Sequence, residues 1–317
     1  MRARQSAGSL ERDAEAIDHL VREGQFQRAF SLVAGFSALL SGLEVTYEHY
    51  KGSYSQRVMY SPVLASGARF GAGVAGAGRG RAARSVLPLV SAITVVDGLV
   101  GFTFHLRGVA RKPGGWRIPV MNVVMGPPVF APLLFAISGY IGLVASLLRR
   151  ADDQAPQHAA PPRRPSWARL LPKWVGAEEQ VIAQEVREGR FQRQLAVAAA
   201  ASALLSGLEA LYSHYKSNFR YGAQWTPILL TPPMVAAGVG AAWSRPIART
   251  ALPLVSGLAL IDGGIGFLYH VRGIGRRPGG FKMPVYNLLY GPPVFAPLLF
   301  SASGFLGLLA SLLRREE

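Results

Sequence analysis

The chain has 317 residues, of which 50% are hydrophobic and 16% are charged, and its formal net charge at pH 7 is +16. It contains no cysteine, which excludes disulfide bonds, thiolate metal sites, iron–sulfur clusters and cysteine nucleophiles. In a chain with many long apolar segments, Lys and Arg usually report membrane orientation, so we expect no nucleic-acid partner.

The sequence contains an internal repeat. The ten residues GPPVFAPLLF stand at 126–135 and return at 291–300, which is 165 positions later. The same offset relates SGLEVTYEHYK at 41–51 to SGLEALYSHYK at 206–216. A repeat of this length predicts two copies of one structural unit.

The polar segment 1–29 opens the chain, with apolar residues at near-helical spacing that predict an amphipathic helix on the membrane surface. It has no apolar run of signal-peptide length. The first membrane repeat is expected at 30–150 and a Pro/Arg-rich linker at 151–177. The second repeat, at 178–317, begins with its own amphipathic helix.

Four apolar blocks follow in each repeat, and about 20 apolar residues suffice for a helix to cross a hydrocarbon core of about 30 Å. In the first repeat they are 30–50, 58–78, 86–106 and 120–148. A soluble helical protein would need more polar surface than these helices offer. The pattern predicts an all-α integral membrane protein with about eight transmembrane helices. They form two parallel four-helix repeats, since an even number of spans gives both units the same topology.

The basic residues favour one orientation. Loops on the side of the N-terminus hold 21 Lys and Arg, and loops on the opposite side hold 12. We therefore expect both termini in the cytoplasm and the chain in an inner or plasma membrane. The lipid bilayer is the expected partner, together with other membrane subunits.

The fourth block contains Pro127, Pro128 and Pro132. Proline removes a backbone donor, so a kink or an interruption is expected there. The GAGVAG motif at 71–76 matches the glycine spacing of a dinucleotide-binding loop, but it follows no strand and lies inside an apolar helix. We therefore interpret the GAGVAG motif as a site where helices pack closely through small residues.

Ionisable residues inside membrane helices are costly and mark candidate functional sites. The recurring polar set comprises Glu44, Tyr47, His49, Tyr50, Lys51, Asp97, His105, Arg107 and Asn122 in the first repeat. Its second copy comprises Glu209, Tyr212, His214, Tyr215, Lys216, Asp262, His270, Arg272 and Asn287. Arg69 has no second copy, because Met234 stands at the corresponding position.

The histidines have three interpretations. His49 with His105, and His214 with His270, could be the axial ligands of a haem b, with Arg107, Arg272 and Lys51 near its propionates. They could instead hold a divalent transition metal. The third interpretation is that they are hydrogen-bonded caps at helix ends.

The carboxylates have two interpretations. Glu44, Asp97, Glu209 and Asp262 could form a proton or cation pathway in a layer deeper than the histidines. The supporting residues would be Tyr47, Lys51, Asn122, Tyr212, Lys216 and Asn287. Alternatively, Glu44 pairs with Lys51 or Tyr47 of its own helix, Asp97 pairs with a nearby Tyr or Asn, and these contacts only hold the bundle together.

The sequence contains no catalytic motif typical of soluble enzymes, such as a nucleophile elbow, a phosphate loop or a zinc-protease helix. Three functions therefore remain open: a redox or ligand-binding membrane subunit with haem or metal, a proton- or cation-coupled secondary transporter, and a cofactor-free scaffold subunit of a membrane complex.

Overall fold

The computed structural model describes residues 25–78, 82–147 and 190–312. This part of the chain is made of helices and turns, with no strand among the described residues. The linker at 151–177 and the amphipathic segments expected ahead of residues 25 and 190 lie outside the described residues.

The described part of the first half, residues 25–78 and 82–147, forms two long helices and three shorter ones. A 3₁₀ turn, Arg57–Tyr60, joins the first two helices. The helices are α1 Gln25–Lys51, α2 Ser61–Ala77, α3 Ala82–Ala110, α4 Pro119–Val124 and α5 Ala131–Leu147.

The second half repeats this order, and nearly all its helix bounds fall 165 residues later, to within one residue. Its helices are α6 Arg190–Lys216, α7 Thr226–Trp243, α8 Arg245–Arg249, α9 Ala251–Gly275, α10 Pro284–Leu289 and α11 Ala296–Leu312.

One difference separates the halves. The first half has the continuous helix α3, which tolerates Pro88 in its interior. The second half has α8 and α9 instead, divided at Thr250 just before Pro253. Because Pro253 corresponds to Pro88, the proline alone does not account for this difference.

Within the described residues, five helical stretches are long and apolar enough to span a membrane. They are Phe30–Lys51, Val86–Ala110, Gln192–Lys216, Gly222–Trp243 and Arg245–Gly275. Two further apolar helices, Ala131–Ser146 and Ala296–Leu312, are shorter. A helix of 17 residues, such as α11, is about 26 Å long at 1.5 Å per residue. The chain is thus an all-helical protein with the features of an integral membrane protein.

The fourth apolar block differs from the continuous span expected at 120–148. The structure divides it into α4 and α5, separated by Met125 to Phe130. Two consecutive prolines in this interval cannot donate to the preceding turn, and the expected interruption is therefore confirmed. We call residues 125–130 and their counterparts 290–295 the proline breaks.

Small residues bring the helices close together. A Cβ built on Gly73 of α2 would lie 2.6 Å from the Gly35 Cα of α1, so only glycine fits there. This contact confirms the packing interpretation of GAGVAG. The buried core is continuous across the halves, and the rings of Phe30 and Phe305 lie 6.0 Å apart between their centroids.

Candidate functional site

The four recurring histidines make the same kind of hydrogen bond. In the first half, His49 Nδ1 lies 2.7 Å from the Met59 carbonyl oxygen and His105 Nδ1 lies 2.6 Å from that of Pro128. In the second half, His214 pairs with the Gln224 carbonyl at 2.8 Å and His270 with that of Pro293 at 2.5 Å. A carbonyl only accepts, so each Nδ1 carries a proton and each Nε2 of a neutral ring keeps a free lone pair.

The proline breaks explain why two of these carbonyls are available. In a continuous helix the Pro128 carbonyl would accept an N–H from residue 132, but Pro132 has none. His105 supplies the missing donor. Pro297 leaves the Pro293 carbonyl free in the same way, and His270 binds it. The third interpretation of the histidines, as hydrogen-bonded caps, describes their Nδ1 atoms and leaves Nε2 unassigned.

The two histidines of each half are neighbours. His49 and His105 lie close enough to interact electrostatically, and so do His214 and His270. Because one member comes from α1 or α6 and the other from α3 or α9, each pair joins two helices of the same half.

Asp97 and Asp262 each lie near a hydroxyl group and a histidine. The Ser61 hydroxyl donates to Asp97 Oδ1 at 2.7 Å, and Asp97 lies near His49. Asp262 has the corresponding neighbours in the second half, Thr226 and His214. Ser61 and Thr226 begin the helices that follow the histidine-bearing ends of α1 and α6, so the aspartates lie near His49 and His214. The common carboxylate layer stays a prediction.

The glutamates are held within their own helices. Tyr47 Oη donates to Glu44 Oε1, and Tyr212 Oη donates to Glu209 Oε1. Lys51 pairs with Glu48 at 3.0 Å, so the alternative in which Lys51 pairs with Glu44 is not the one adopted. Lys51 and Lys216 also lie over the rings of Tyr47 and Tyr212, at 5.2 and 5.1 Å from the centroids.

Each glutamate also meets the proline break of the other half. The Phe295 N–H donates to Glu44 Oε2 at 3.4 Å, and Phe295 directly precedes α11. The Phe130 N–H lies near Glu209, directly before α5, but Glu209 Oε2 has no hydrogen-bond partner. Helix N-termini carry partial positive charge, which stabilises a nearby carboxylate. The reciprocal contact ties the two halves together and was not foreseen from the sequence.

Asn122 and Asn287 have a structural role. Both are buried. Asn122 Nδ2 donates to the carbonyls of Pro113 and Gly115 at 3.0 and 2.7 Å, and Asn287 repeats this with Pro278 and Gly280. The glycines of these turns have positive φ, for example +79° at Gly114. The asparagines thus stabilise the turns with the sequences RKPGGW, at 111–116, and RRPGGF, at 276–281.

Arg107 and Arg272 are exposed near the histidine-bearing ends of α3 and α9. Among the described residues, no group of three or more His, Cys, Asp or Glu side chains is placed to hold a metal ion.

No protein family matches the chain, and no curated protein or solved structure resembles it closely enough to suggest a function. The function is therefore inferred from the geometry of the site.

Proposed function

We propose that the chain is a membrane redox subunit that holds one haem b in each half, between His49 and His105 and between His214 and His270. The supporting observation is the shared orientation of the four imidazoles, whose Nδ1–H groups all donate to backbone carbonyls. Metal-ligating histidines usually fix their second ring nitrogen in this way. The haem would supply one-electron chemistry inside the membrane.

The number of protein ligands favours haem over a bare divalent ion. A zinc ion usually takes three or four protein ligands, whereas haem iron needs only axial ligands from the protein. Each half offers two histidines, and the described residues assemble no larger ligand group. Arg107 and Arg272, with Lys51 and Lys216, are exposed cations near the histidine-bearing helix ends and would pair with the propionates.

The haem content of the purified protein tests this proposal. Protein produced in cells supplied with iron and a haem precursor is expected to release about two haem b molecules per chain on extraction. Protein that remains well below one haem per chain, even after incubation with excess haem, would overturn the proposal.

We further propose eight membrane crossings in two parallel repeats, with both termini and residues 151–177 in the cytoplasm. The supporting observations are the recurrence of the helix bounds after 165 residues and the excess of Lys and Arg on one side, 21 against 12. The cysteine-free chain allows a direct test. Cysteine at Gln157 is expected to resist an impermeant thiol reagent in intact cells, and cysteine at the exposed Arg117 to react. The reverse pattern would disprove the orientation.

A second candidate function is a proton- or cation-coupled transporter that uses Glu44, Asp97, Glu209 and Asp262. It is favoured by the contact of each glutamate with the proline break of the other half. In many transporters, interrupted helices bind substrates and ions at the contact between repeats. The environment of a glutamate at the contact between the halves would change when one half moves against the other.

The double variant Glu44→Gln with Glu209→Gln separates the candidates. The amide keeps the side-chain shape and removes the charge. The haem proposal predicts about two haems per chain, as in the parent, because neither glutamate contacts a histidine. Suppose that the parent is colourless, that it takes up a solute in response to a proton or cation gradient, and that the double variant loses this uptake. That result would favour the transporter. A colourless parent with unaltered uptake and assembly in the variant would favour a scaffold subunit.

A further inference from the structure

An open groove lies where α5 of the first half meets α6 and α7 of the second half. Its volume is about 640 Å³, and ligand sites in proteins usually measure about 300–1,000 Å³. The walls are mostly apolar. They include Ile137 and Tyr140 of α5, Val197 and Ala201 of α6, and Trp243 of α7.

The polar and apolar residues of the groove follow one another along α6 in the order of a phospholipid. Arg193 stands at the beginning of the membrane-spanning stretch Gln192–Lys216. Val197 and Ala201 follow at intervals of four residues and therefore share its side of the helix. At 1.5 Å per residue, Ala201 lies about 12 Å from Arg193 along the helix axis. This distance fits within one leaflet of a hydrocarbon core about 30 Å thick.

The charge of the groove favours an anionic headgroup. Among the described residues that line the groove, Arg193 alone is charged, and its side chain is exposed. A guanidinium binds phosphate oxygens through two parallel hydrogen bonds. A zwitterionic headgroup would bring its own cation close to Arg193, whereas an anionic headgroup brings only negative charge. Trp243 is 78% exposed and is of a residue type enriched at the headgroup level of membranes.

The first half carries larger side chains at the corresponding positions of α1. Phe36 corresponds to Ala201, and Val33 corresponds to Ala198, which also lines the groove. The Phe36 ring lies against the Phe70 ring of α2, with 5.6 Å between their centroids. Because Ala201 has only a methyl group, it leaves open the space that a ring at this position would occupy.

We propose that the groove binds one anionic phospholipid from the leaflet on the side where α6 begins. The phosphate pairs with Arg193, and one acyl chain lies along Val197 and Ala201. Because α5 belongs to the first half and α6 and α7 to the second, the bound lipid contacts both halves and stabilises their association. The inference does not depend on the haem proposal.

Native mass spectrometry of the delipidated protein in detergent tests the proposal. The protein is titrated with phosphatidylglycerol or with phosphatidylcholine of the same acyl chains, and the dissociation constant of the first bound lipid is measured. The parent is expected to bind phosphatidylglycerol about tenfold more tightly, because the charged pair with Arg193 lacks a competing cation. Arg193→Gln should remove this preference.

Ala201→Phe introduces the residue that the first half carries and should fill the space of the acyl chain. We expect it to weaken the binding of both lipids about tenfold. Both substituted positions are exposed, so neither change disturbs the buried core. Arg220→Gln and Leu211→Phe are the matched controls at exposed positions outside the groove, and they should keep the parent values.

Three results would overturn the proposal. The first is a parent that binds the two lipids equally well. The second is phosphatidylglycerol binding that Arg193→Gln leaves unchanged. The third is binding that Ala201→Phe leaves unchanged, which would place the lipid outside the groove.

Discussion

His49→Ala is expected to lower the haem content of the purified protein from about two to about one per chain. The reason is that His49 and His105 lie near each other within the first half, as His214 and His270 do within the second. Removing one imidazole leaves the iron of that half with a single protein ligand, whereas the other half keeps both. His214→Ala should have the same effect on the second half.

The combination of variants provides the internal control. His49→Ala with His214→Ala should remove nearly all haem, because each half then lacks a ligand. His158→Ala changes a histidine of the linker and should keep the parent content. If a single substitution at His49 removed all haem, the ligands would come from both halves at one site. Full haem content in all four single alanine variants, at His49, His105, His214 and His270, would contradict the proposed ligation.

Gly263→Ala and Gly264→Ala are expected to change stability in opposite directions. A Cβ on Gly263 of α9 would meet the Ser301 side chain and the Pro297 carbonyl of α11, and would lie 2.6 Å from the Ser301 backbone nitrogen. Backbone atoms cannot rotate away, so the helices must separate at a cost of about 1–3 kcal/mol. A Cβ on Gly264 meets no atom within 4 Å, so alanine there should gain up to about 1 kcal/mol through helix propensity.

Melting temperatures in detergent and the yield of monodisperse protein measure this effect. Gly98→Ala repeats the test in the first half, because its Cβ would lie 2.5 Å from the Pro132 carbonyl oxygen and 2.7 Å from the Ala136 nitrogen. Gly67 is its control, with no atom within 4 Å. Equal stabilities for the two variants at 263 and 264 would show that α9 and α11 do not pack as closely as the structure places them.

The helices and the proline breaks could be predicted from local sequence. Apolar run length sets where a helix can lie in a membrane, and α3, Ala82–Ala110, extends the expected block at 86–106 by four residues at each end. The interruption before α5 follows from the chemistry of Pro127 and Pro128 alone. The free Pro128 carbonyl also had a local signal, since Pro132 stands four residues later.

The contacts between distant residues could not be predicted in this way. Spacing along one helix shows which side chains share a face, but it does not show how far one helix is shifted against another. The hydrogen bond of Asp97 with Ser61 and its proximity to His49 could therefore not be read from spacing along α3. The contact of Glu44 with Phe295 joins residues 251 positions apart, and no local pattern encodes it.

The repeated GPPVFAPLLF segment acquires a physical role from these contacts. In each half it frees a carbonyl that binds a histidine of the same half, Pro128 with His105 and Pro293 with His270. Its last residues also present a helix N-terminus to a glutamate of the other half. One segment therefore orients the proposed haem ligand and contacts the other half, which is consistent with its presence in both halves of the sequence.

The visible absorption spectrum of the purified parent protein tests the central claim most directly. Two histidine nitrogens on one haem iron predict an intense Soret band and sharp, split bands on reduction, typical of six-coordinate low-spin haem. The bands should persist in Glu44→Gln with Glu209→Gln and lose about half their intensity in His49→Ala. A colourless protein that acquires no such bands when haem is added would contradict the account.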